Sequence, residues 1–258
     1  MMENSAAYMF TQSTASDQLA IEYLQVEKNR STDFANVWDA ATELRKSSRL
    51  RQIQVPDGLR EEHVLAILAY TRPGDFYSKF NDALRKYGTS DSVYAKKFHF
   101  KSFHYLLSVA LDRLRKTRGS APVTTYRGMT DRSKAQAGSQ MKFGHFASSS
   151  LDIHIARSVG TNTLFNITSG KGVKITGYSL CQQDEVLIPP DEVFNVTQYS
   201  SDKIKGVAIS LVAEGEAGIA VRVERGVGGQ LQVVRSVGSA LSAVALWCAG
   251  TVLAPIFL

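Results

Sequence analysis

The chain has 258 residues, of which 44% are hydrophobic and 21% are charged, and its formal net charge is +6. This composition excludes a disordered or fibrous protein and is sufficient for one substantial hydrophobic core. The basic residues are dispersed apart from short clusters, so we expect solvated helix faces and no nucleic-acid partner. A positive surface would still attract a small anion.

The first half of the chain, residues 16–116, shows helical periodicity. Apolar residues recur at steps of three and four, first at Leu19, Tyr23 and Val26 and later through residues 103–114. Turns rich in Pro and Gly interrupt this pattern. We therefore predict four to six helices with short connections in this half.

After residue 119 the apolar pattern changes to short extended runs. The predicted strands are 123–126, 144–149, 163–167, 174–175, 184–188, 192–200 and 207–212. Helices followed by strands predict an α+β fold rather than alternating βαβ units. Because no Gly-x-Gly-x-x-Gly follows a strand, a bound dinucleotide would not use a Rossmann fingerprint.

Three polar motifs lie at the edges of these predicted strands. They are TYRG at residues 125–128, FASSS at residues 146–150 and DEVLIPP at residues 184–190. The guanidinium of the first is a planar, permanently charged fork for phosphate oxygens. The carboxylate at the start of the third is a candidate catalytic group, since it stands where an apolar strand begins.

Together these motifs resemble the mono-ADP-ribosyltransferases, specifically the animal arginine-specific (ecto-ADP-ribosyltransferase) family. Shorter matches fall between them in the same order, and the resemblance covers roughly residues 15–225. These matches are YT at 70–71, FNDALR at 80–85, FHFK at 98–101, FGHF at 143–146 and LF at 164–165. The resemblance implies that a helical portion packs on two small, roughly perpendicular antiparallel sheets that grip NAD in a cleft.

The resemblance also implies a reaction and a role for each motif residue. ADP-ribose would pass from NAD to an acceptor side chain, arginine in the first instance, with release of nicotinamide. Glu185 would stabilise the ribosyl cation, which resembles the transition state of glycoside hydrolysis. Ser148 would hold Glu185, while Arg127 and Gly128 would bind NAD together with Ser148 and Phe165. NAD is the substrate here, and the sequence leaves open whether NADP is also accepted.

Gln183 departs from the family pattern, in which arginine-modifying members carry a second Glu two residues before the catalytic one. On an extended segment positions 183 and 185 face the same side. A carboxylate there can pair with an incoming guanidinium and help to remove its proton, whereas an amide can only hydrogen-bond. Arginine transfer, NAD hydrolysis or transfer to another acceptor, and an inactive binding or surface module all remain open.

Cysteine and histidine usage indicates no metal site and no disulfide within the domain. Only Cys181 and Cys248 occur, and serine stands at positions 120 and 169, where the resemblance leads us to expect cysteine. The histidines lack metal-ligand spacing with cysteines or acids.

The two ends of the chain give conflicting indications about location. We expect a flexible N-terminus over 1–14, the transferase domain over 15–226, a linker over 227–239 and a hydrophobic tail over 240–258. The tail has no charged residue and the length of a bilayer core, which fits a lipid-anchor (GPI) signal, a membrane span or a buried helix. Residues 1–14 do not read as a signal peptide. Family resemblance and the tail favour a membrane-attached or extracellular protein.

Overall fold

The computed structural model describes residues 8–51, 53–119, 121–179, 184–216 and 219–236. Within these ranges helices fill the first half of the chain and strands the second, which confirms the predicted α+β fold. The helices of the first half are α1 Thr14–Arg30, α2 Thr32–Arg45, α3 Ser48–Arg51, α4 Glu61–Thr71, α5 Phe76–Tyr87, α6 Asp91–Lys97 and α7 Lys101–Arg118.

Serine caps fix where the first two helices begin. The Ser13 hydroxyl accepts a hydrogen bond from the Ser16 amide at 3.0 Å, and the Ser31 hydroxyl accepts one from the Phe34 amide at 3.3 Å. The described part of this half contains seven helices, whereas we expected four to six. The short α3 and α6, of 4 and 7 residues, are too brief to show a repeated apolar spacing.

Each predicted strand is present in the second half, in most cases longer than the sequence pattern indicated. One strand, β1 Tyr8–Phe10, precedes the helices. The others are β2 Val123–Met129, β3 Gln140–Met141, β4 Ala147–Ser150, β5 Thr163–Ser169, β6 Val173–Lys174, β7 Glu185–Ile188, β8 Glu192–Asp202, β9 Gly206–Glu216, β10 Ile219–Arg225 and β11 Leu231–Arg235. A short helix, α8 Ile153–Val159, connects β4 to β5.

The strands form an eight-stranded sheet in the order β3-β8-β9-β5-β2-β4-β7-β6 and a three-stranded sheet in the order β1-β10-β11. The sheets are mixed rather than wholly antiparallel as the resemblance implied. β9 folds back from its hairpin with β8 and lies parallel to β5, and β1 lies parallel to β10. The first and the last described strands thus meet in the smaller sheet.

Two hydrophobic clusters contact alternate residues of β7. Leu187 belongs to the cluster formed with the helices, whereas Val186 and Ile188 belong to a second cluster between strands. The helical cluster centres on α4, whose residues from Val64 to Tyr70 are all buried. Each large side chain in such a cluster contributes about 1.5 to 3 kcal/mol on burial. The helices therefore support the strand on which Glu185 stands.

The ordered domain extends beyond the limits that we expected at both ends. Residues 8–10 and 231–235 were assigned to a flexible terminus and a linker, but both pair with β10. Tyr8 and Leu231 are buried in the helical cluster, which explains the pairing. The tail over 240–258 lies outside the described residues. Among the residues that are described, no helix is long and apolar enough to cross a membrane.

A buried carboxylate joins the first and last helices of the N-terminal half. Asp17 of α1 accepts hydrogen bonds from the Tyr105 hydroxyl at 2.8 Å and from the Arg113 guanidinium at 2.9 and 3.1 Å. Burial raises the pKa of Asp17, but the nearby His63 ring, whose Nε2 lies 3.7 Å from Oδ1, and hydrogen bonds from Arg113 and Tyr105 outweigh it and lower the pKa to about 2. The carboxylate is therefore ionised in the folded protein under all but strongly acidic conditions.

We expect Asp17→Asn to destabilise the domain by about 1 to 3 kcal/mol, because the Arg113 charge and the Tyr105 hydroxyl lose an ionised acceptor. The folded pKa lies below that of the unfolded chain, so the wild-type contribution is present above a pH of about 4. It is lost as pH falls through about 2. Urea unfolding between pH 2 and pH 7 measures both effects.

Asp39→Asn is the matched control for this experiment. Asp39 is 61% exposed and pairs with Lys28 on the surface, so its replacement should cost less than about 1 kcal/mol. Equal losses of unfolding free energy in the two variants would show that Asp17 contributes no more to stability than a surface ion pair does.

Candidate active site

A cleft of about 480 Å³ opens between the helices α4, α5 and α8 and the strands β2, β4 and β7. A smaller cavity of about 230 Å³ lies between β1 and α7. In the smaller cavity the Asp112 carboxylate is already paired with Lys116 at 2.7 Å and with Arg115 at 3.2 Å. Only the larger cleft contains the polar residues that the sequence singled out.

The pairing of β4 with two neighbours places those residues side by side. β4 pairs with β2 at Tyr126 and Ser150, and with β7 along its whole length, so that Ser150 lies opposite Glu185. Arg127, Ser148 and Glu185 therefore line the same cleft from three adjacent strands. The three motifs, although distant in sequence, thus meet at one cleft.

Arg127 is fixed by the backbone of β4. Its Nη1 donates a hydrogen bond to the Ser148 carbonyl at 2.5 Å. Its Nε is buried and has no hydrogen-bond partner among the described residues. Burial lowers the pKa of the guanidinium, which nevertheless remains charged because arginine titrates so high. A buried cation with a free N–H is suited to an anionic ligand that supplies the missing acceptor.

Glu185 begins β7 and is partly buried at the cleft wall. The Ser179 hydroxyl donates a hydrogen bond to Glu185 Oε2 at 3.0 Å. Burial raises the pKa of the carboxyl, and hydrogen bonds from Ser148 and Ser179 lower it, with a net rise. The carboxylate thus sits where negative charge is costly, and two hydroxyl groups support it.

The two serines that follow Ser148 hold the strands together. The Ser149 hydroxyl donates to the Val186 carbonyl at 2.9 Å and accepts from the Thr125 hydroxyl at 2.8 Å. The Ser150 hydroxyl accepts from the Asp152 amide at 3.1 Å, where the turn into α8 starts. Ser149 and Ser150 thus have structural partners already, and Ser148 is the partly exposed member of the motif.

Gly128 is required by the packing of α8 on β2. A Cβ atom at this position would lie 1.9 Å from the Ala156 carbonyl oxygen and 2.4 Å from the Gly160 carbonyl oxygen. We expected this glycine to leave room for a ligand. It does line the cleft, but its missing side chain makes room for backbone rather than for a ligand.

Phe165 does not line the cleft, which corrects the expectation that it contacts NAD. Its side chain is 2% exposed and packs edge-on against Phe143 at 5.6 Å between ring centroids. Phe165 belongs to the second hydrophobic cluster, together with Phe194. Phe165 is the cross-strand partner of Arg127, yet its ring packs in this cluster and not at the cleft.

Residue 183 lies outside the described residues, so the expected acceptor-positioning role of Gln183 stays a prediction. The neighbouring Asp184 is described. Its φ of 25° is left-handed, and its carboxylate forms an ion pair with Lys174 at 2.6 Å. Because β7 begins only at Glu185, the alternation of an extended strand does not continue through Asp184.

Sequence reasoning missed the helical side of the cleft. The Tyr70 hydroxyl donates to the Phe146 carbonyl at 2.8 Å, and the Asn81 amide donates to the same carbonyl at 3.1 Å. Tyr77, which is 48% exposed, forms part of the rim. Tyr70 and Asn81 both lie in short segments that carried the family resemblance. The family resemblance of these segments was the signal that could have placed Tyr70 and Asn81 at the cleft, since helical spacing alone is equally typical of core residues.

Comparison with known proteins gives a consistent family. The model of a family described as NAD:arginine ADP-ribosyltransferase matches residues 6–217. The chain is similar to erythroblast NAD(P)(+)--arginine ADP-ribosyltransferase of Gallus gallus, with 39% identity over 178 residues. The match covers 66% of this chain and 59% of that protein, so the chain spans about three fifths of the relative.

Two further relatives extend this comparison. GPI-linked NAD(P)(+)--arginine ADP-ribosyltransferase 1 of Mus musculus is 40% identical over 148 residues, which are 56% of this chain and 46% of that protein. The fold is similar to the crystal structure of a mutant of the eukaryotic mono-ADP-ribosyltransferase ART2.2 in complex with NAD, with a TM-score of 0.71 and 26% identity. That match covers 85% of this chain and 95% of the other.

We expect Gly128→Ala to destabilise the domain by about 1 to 3 kcal/mol or more, because the new methyl group overlaps two carbonyl oxygens of the α8 region. Gly177→Ala is the control, since a Cβ there meets nothing within 4 Å. Thermal unfolding of both variants measures the difference. Comparable melting temperatures for the two variants would contradict the packing role assigned to Gly128.

Proposed function

Because this chain belongs to the NAD:arginine ADP-ribosyltransferase family, we propose that it transfers ADP-ribose from NAD to a protein side chain and releases nicotinamide. The observation that carries this proposal is the meeting of Arg127, Ser148 and Glu185 in one cleft of about 480 Å³. Ser148 is proposed to hold Glu185 through its hydroxyl group, and Arg127 and Glu185 have separate tasks that the geometry supports.

Arg127 is proposed to bind the negatively charged part of NAD. Its Nη1 is held by the Ser148 carbonyl, while its buried Nε has no partner within the described part of the chain. A phosphate oxygen would satisfy that N–H and neutralise the buried charge. The rigid position of β2 between β4 and β5 then fixes the bound donor relative to Glu185.

Glu185 is proposed to act on the bond between nicotinamide and ribose. When this bond breaks, its electron pair leaves with nicotinamide and positive charge develops at C1 of the ribose. An ionised carboxylate beside that carbon stabilises the charge in the transition state more than in bound NAD, which accelerates bond cleavage. An acceptor nitrogen, or water, then attacks C1 and gives up a proton.

Arginine is the acceptor that we propose first, because the relatives named above are arginine ADP-ribosyltransferases. Gln183 favours a second candidate, in which NAD is hydrolysed or another side chain is modified. An amide at this position offers an incoming guanidinium no negative charge and no base. The location proposed is a membrane surface, supported by the uncharged residues 240–258 and by the GPI-linked relative.

The first test of the function is Glu185→Gln with NAD labelled in its adenylate half and a small guanidino compound as acceptor. We expect the wild type to release nicotinamide and transfer label, and the variant to be slower by at least about 100-fold, because it cannot supply negative charge. Nicotinamide release and label transfer are followed in the same sample.

Asp184→Asn is the matched control, because Asp184 pairs with Lys174 outside the cleft. Its turnover should stay within about threefold of the wild type, as is usual for loss of an exposed ion pair. Near-normal nicotinamide release by Glu185→Gln would refute the role given to this carboxylate. A folded wild type that binds NAD and yields neither product would support a binding module instead.

Gln183→Glu tests the choice of acceptor. We expect the ratio of guanidino transfer to NAD hydrolysis to rise by at least about tenfold, because a general base typically contributes 10²- to 10⁴-fold. Product partition at saturating NAD gives this ratio directly. An unchanged ratio would mean that residue 183 does not determine the acceptor.

A further inference from the structure

We propose that Ser179 is a positioning residue for Glu185, which holds the carboxylate in its working orientation and helps to keep it ionised. This inference rests on the proposed function, since it concerns the same carboxylate. It adds a residue from outside the three sequence motifs.

The contact is direct and shielded from water. The Ser179 hydroxyl lies 3.0 Å from Glu185 Oε2, and Ser179 is 1% exposed. A carboxylate can only accept hydrogen bonds, so the serine must donate its proton. A hydrogen bond to an ionised group in a dry environment is stronger than one between neutral groups, and it restricts rotation of the glutamate side chain.

The backbone around Ser179 is tied to the same residue. The Ile175 amide donates to the Glu185 carbonyl at 2.9 Å, and the Tyr178 amide donates to the Ile175 carbonyl at 2.8 Å. Just before this turn, Lys174 of β6 pairs with Val186 of β7. Backbone hydrogen bonds therefore tie the segment that leads to the donor to the residue that carries the acceptor, which favours preorganisation of the contact.

In the part of the chain that the structure describes, the other groups near the carboxylate do not replace this contact. Arg127 faces the cleft from β2, where its Nη1 is occupied by the Ser148 carbonyl. Tyr70 faces it from α4, and burial raises the pKa of this phenol to about 12, so it is neutral at working pH. Lys174 is paired with Asp184 at 2.6 Å. Ser148 and Ser179 are thus the hydroxyl groups that favour the ionised form of Glu185.

The test uses the full chain with Ser179→Ala. We expect kcat for nicotinamide release to fall by about tenfold, because a hydrogen bond to a charged group is lost. KM for NAD should change by less than about twofold, because Ser179 does not line the cleft. The acid limb of the pH-rate profile should move to higher pH, since the ionised form of Glu185 loses a donor. An unmoved limb would overturn the proposal.

Ser179→Thr and Ser179→Val separate the hydroxyl group from packing. The two side chains have the same shape, so any steric cost of filling this buried position is shared. We expect the Thr variant to keep the wild-type acid limb and the Val variant to match Ser179→Ala. If the Thr and Val variants lose kcat equally and show the same acid limb, Ser179 has only a packing role and the proposal is wrong.

A direct titration distinguishes this proposal from the proposed function. The pKa of Glu185 is followed by NMR of ¹³C-labelled carboxyl groups, and Glu185→Gln identifies the signal. We expect Ser179→Ala to raise this pKa even if the wild type has no transferase activity. An unchanged pKa in a folded Ser179→Ala protein would overturn the role of Ser179, whatever the activity of the chain.

Discussion

The pairing of β4 between β2 and β7 is the constraint on which the site depends. This short strand supplies Ser148, its carbonyl anchors Arg127, and its last residue lies opposite Glu185. None of the three side chains would meet without it, because their motifs are separated by other elements. The hydroxyl groups of Ser149 and Thr125 add hydrogen bonds between the three strands. The strand that carries the central serine is therefore also the strand that sets the geometry.

The buried carboxylate of Glu192 stabilises the turn from β5 to β6. Glu192, which is 1% exposed, accepts hydrogen bonds from the Ser169 hydroxyl at 2.5 Å and from the Gly170 and Lys171 amides at 2.6 and 3.0 Å. The Ser169 hydroxyl also accepts from the Gly172 amide at 2.7 Å. The resemblance led us to expect cysteine at position 169. Here a hydrogen-bonded network fixes the turn, and it needs no oxidation.

The sequence was informative where a feature depends on local residue types. The strands that carry Ser148 and Glu185 follow from short extended runs beside polar residues, and the change from helical to extended spacing predicts the α+β division. The predicted strand 123–126 was too short, because β2 continues through Arg127 to Met129. The parallel pairing of β5 with β9 is different, because it is decided by how a hairpin folds back. The burial of Phe165 also depends on which sheet face is covered, which the spacing of one strand does not determine.

The position of Glu185 reconciles two opposed requirements. A carboxylate in a partly dry cleft exerts a stronger field on a nearby cation, because less water screens it. The same burial raises the pKa of Glu185 and so disfavours the charged form that the proposed reaction would need. Hydroxyl groups resolve this conflict, since they stabilise negative charge without introducing a permanent positive charge beside the carboxylate. A lysine in place of Ser148 or Ser179 would keep the glutamate ionised but would repel the cation that the proposed role requires it to stabilise.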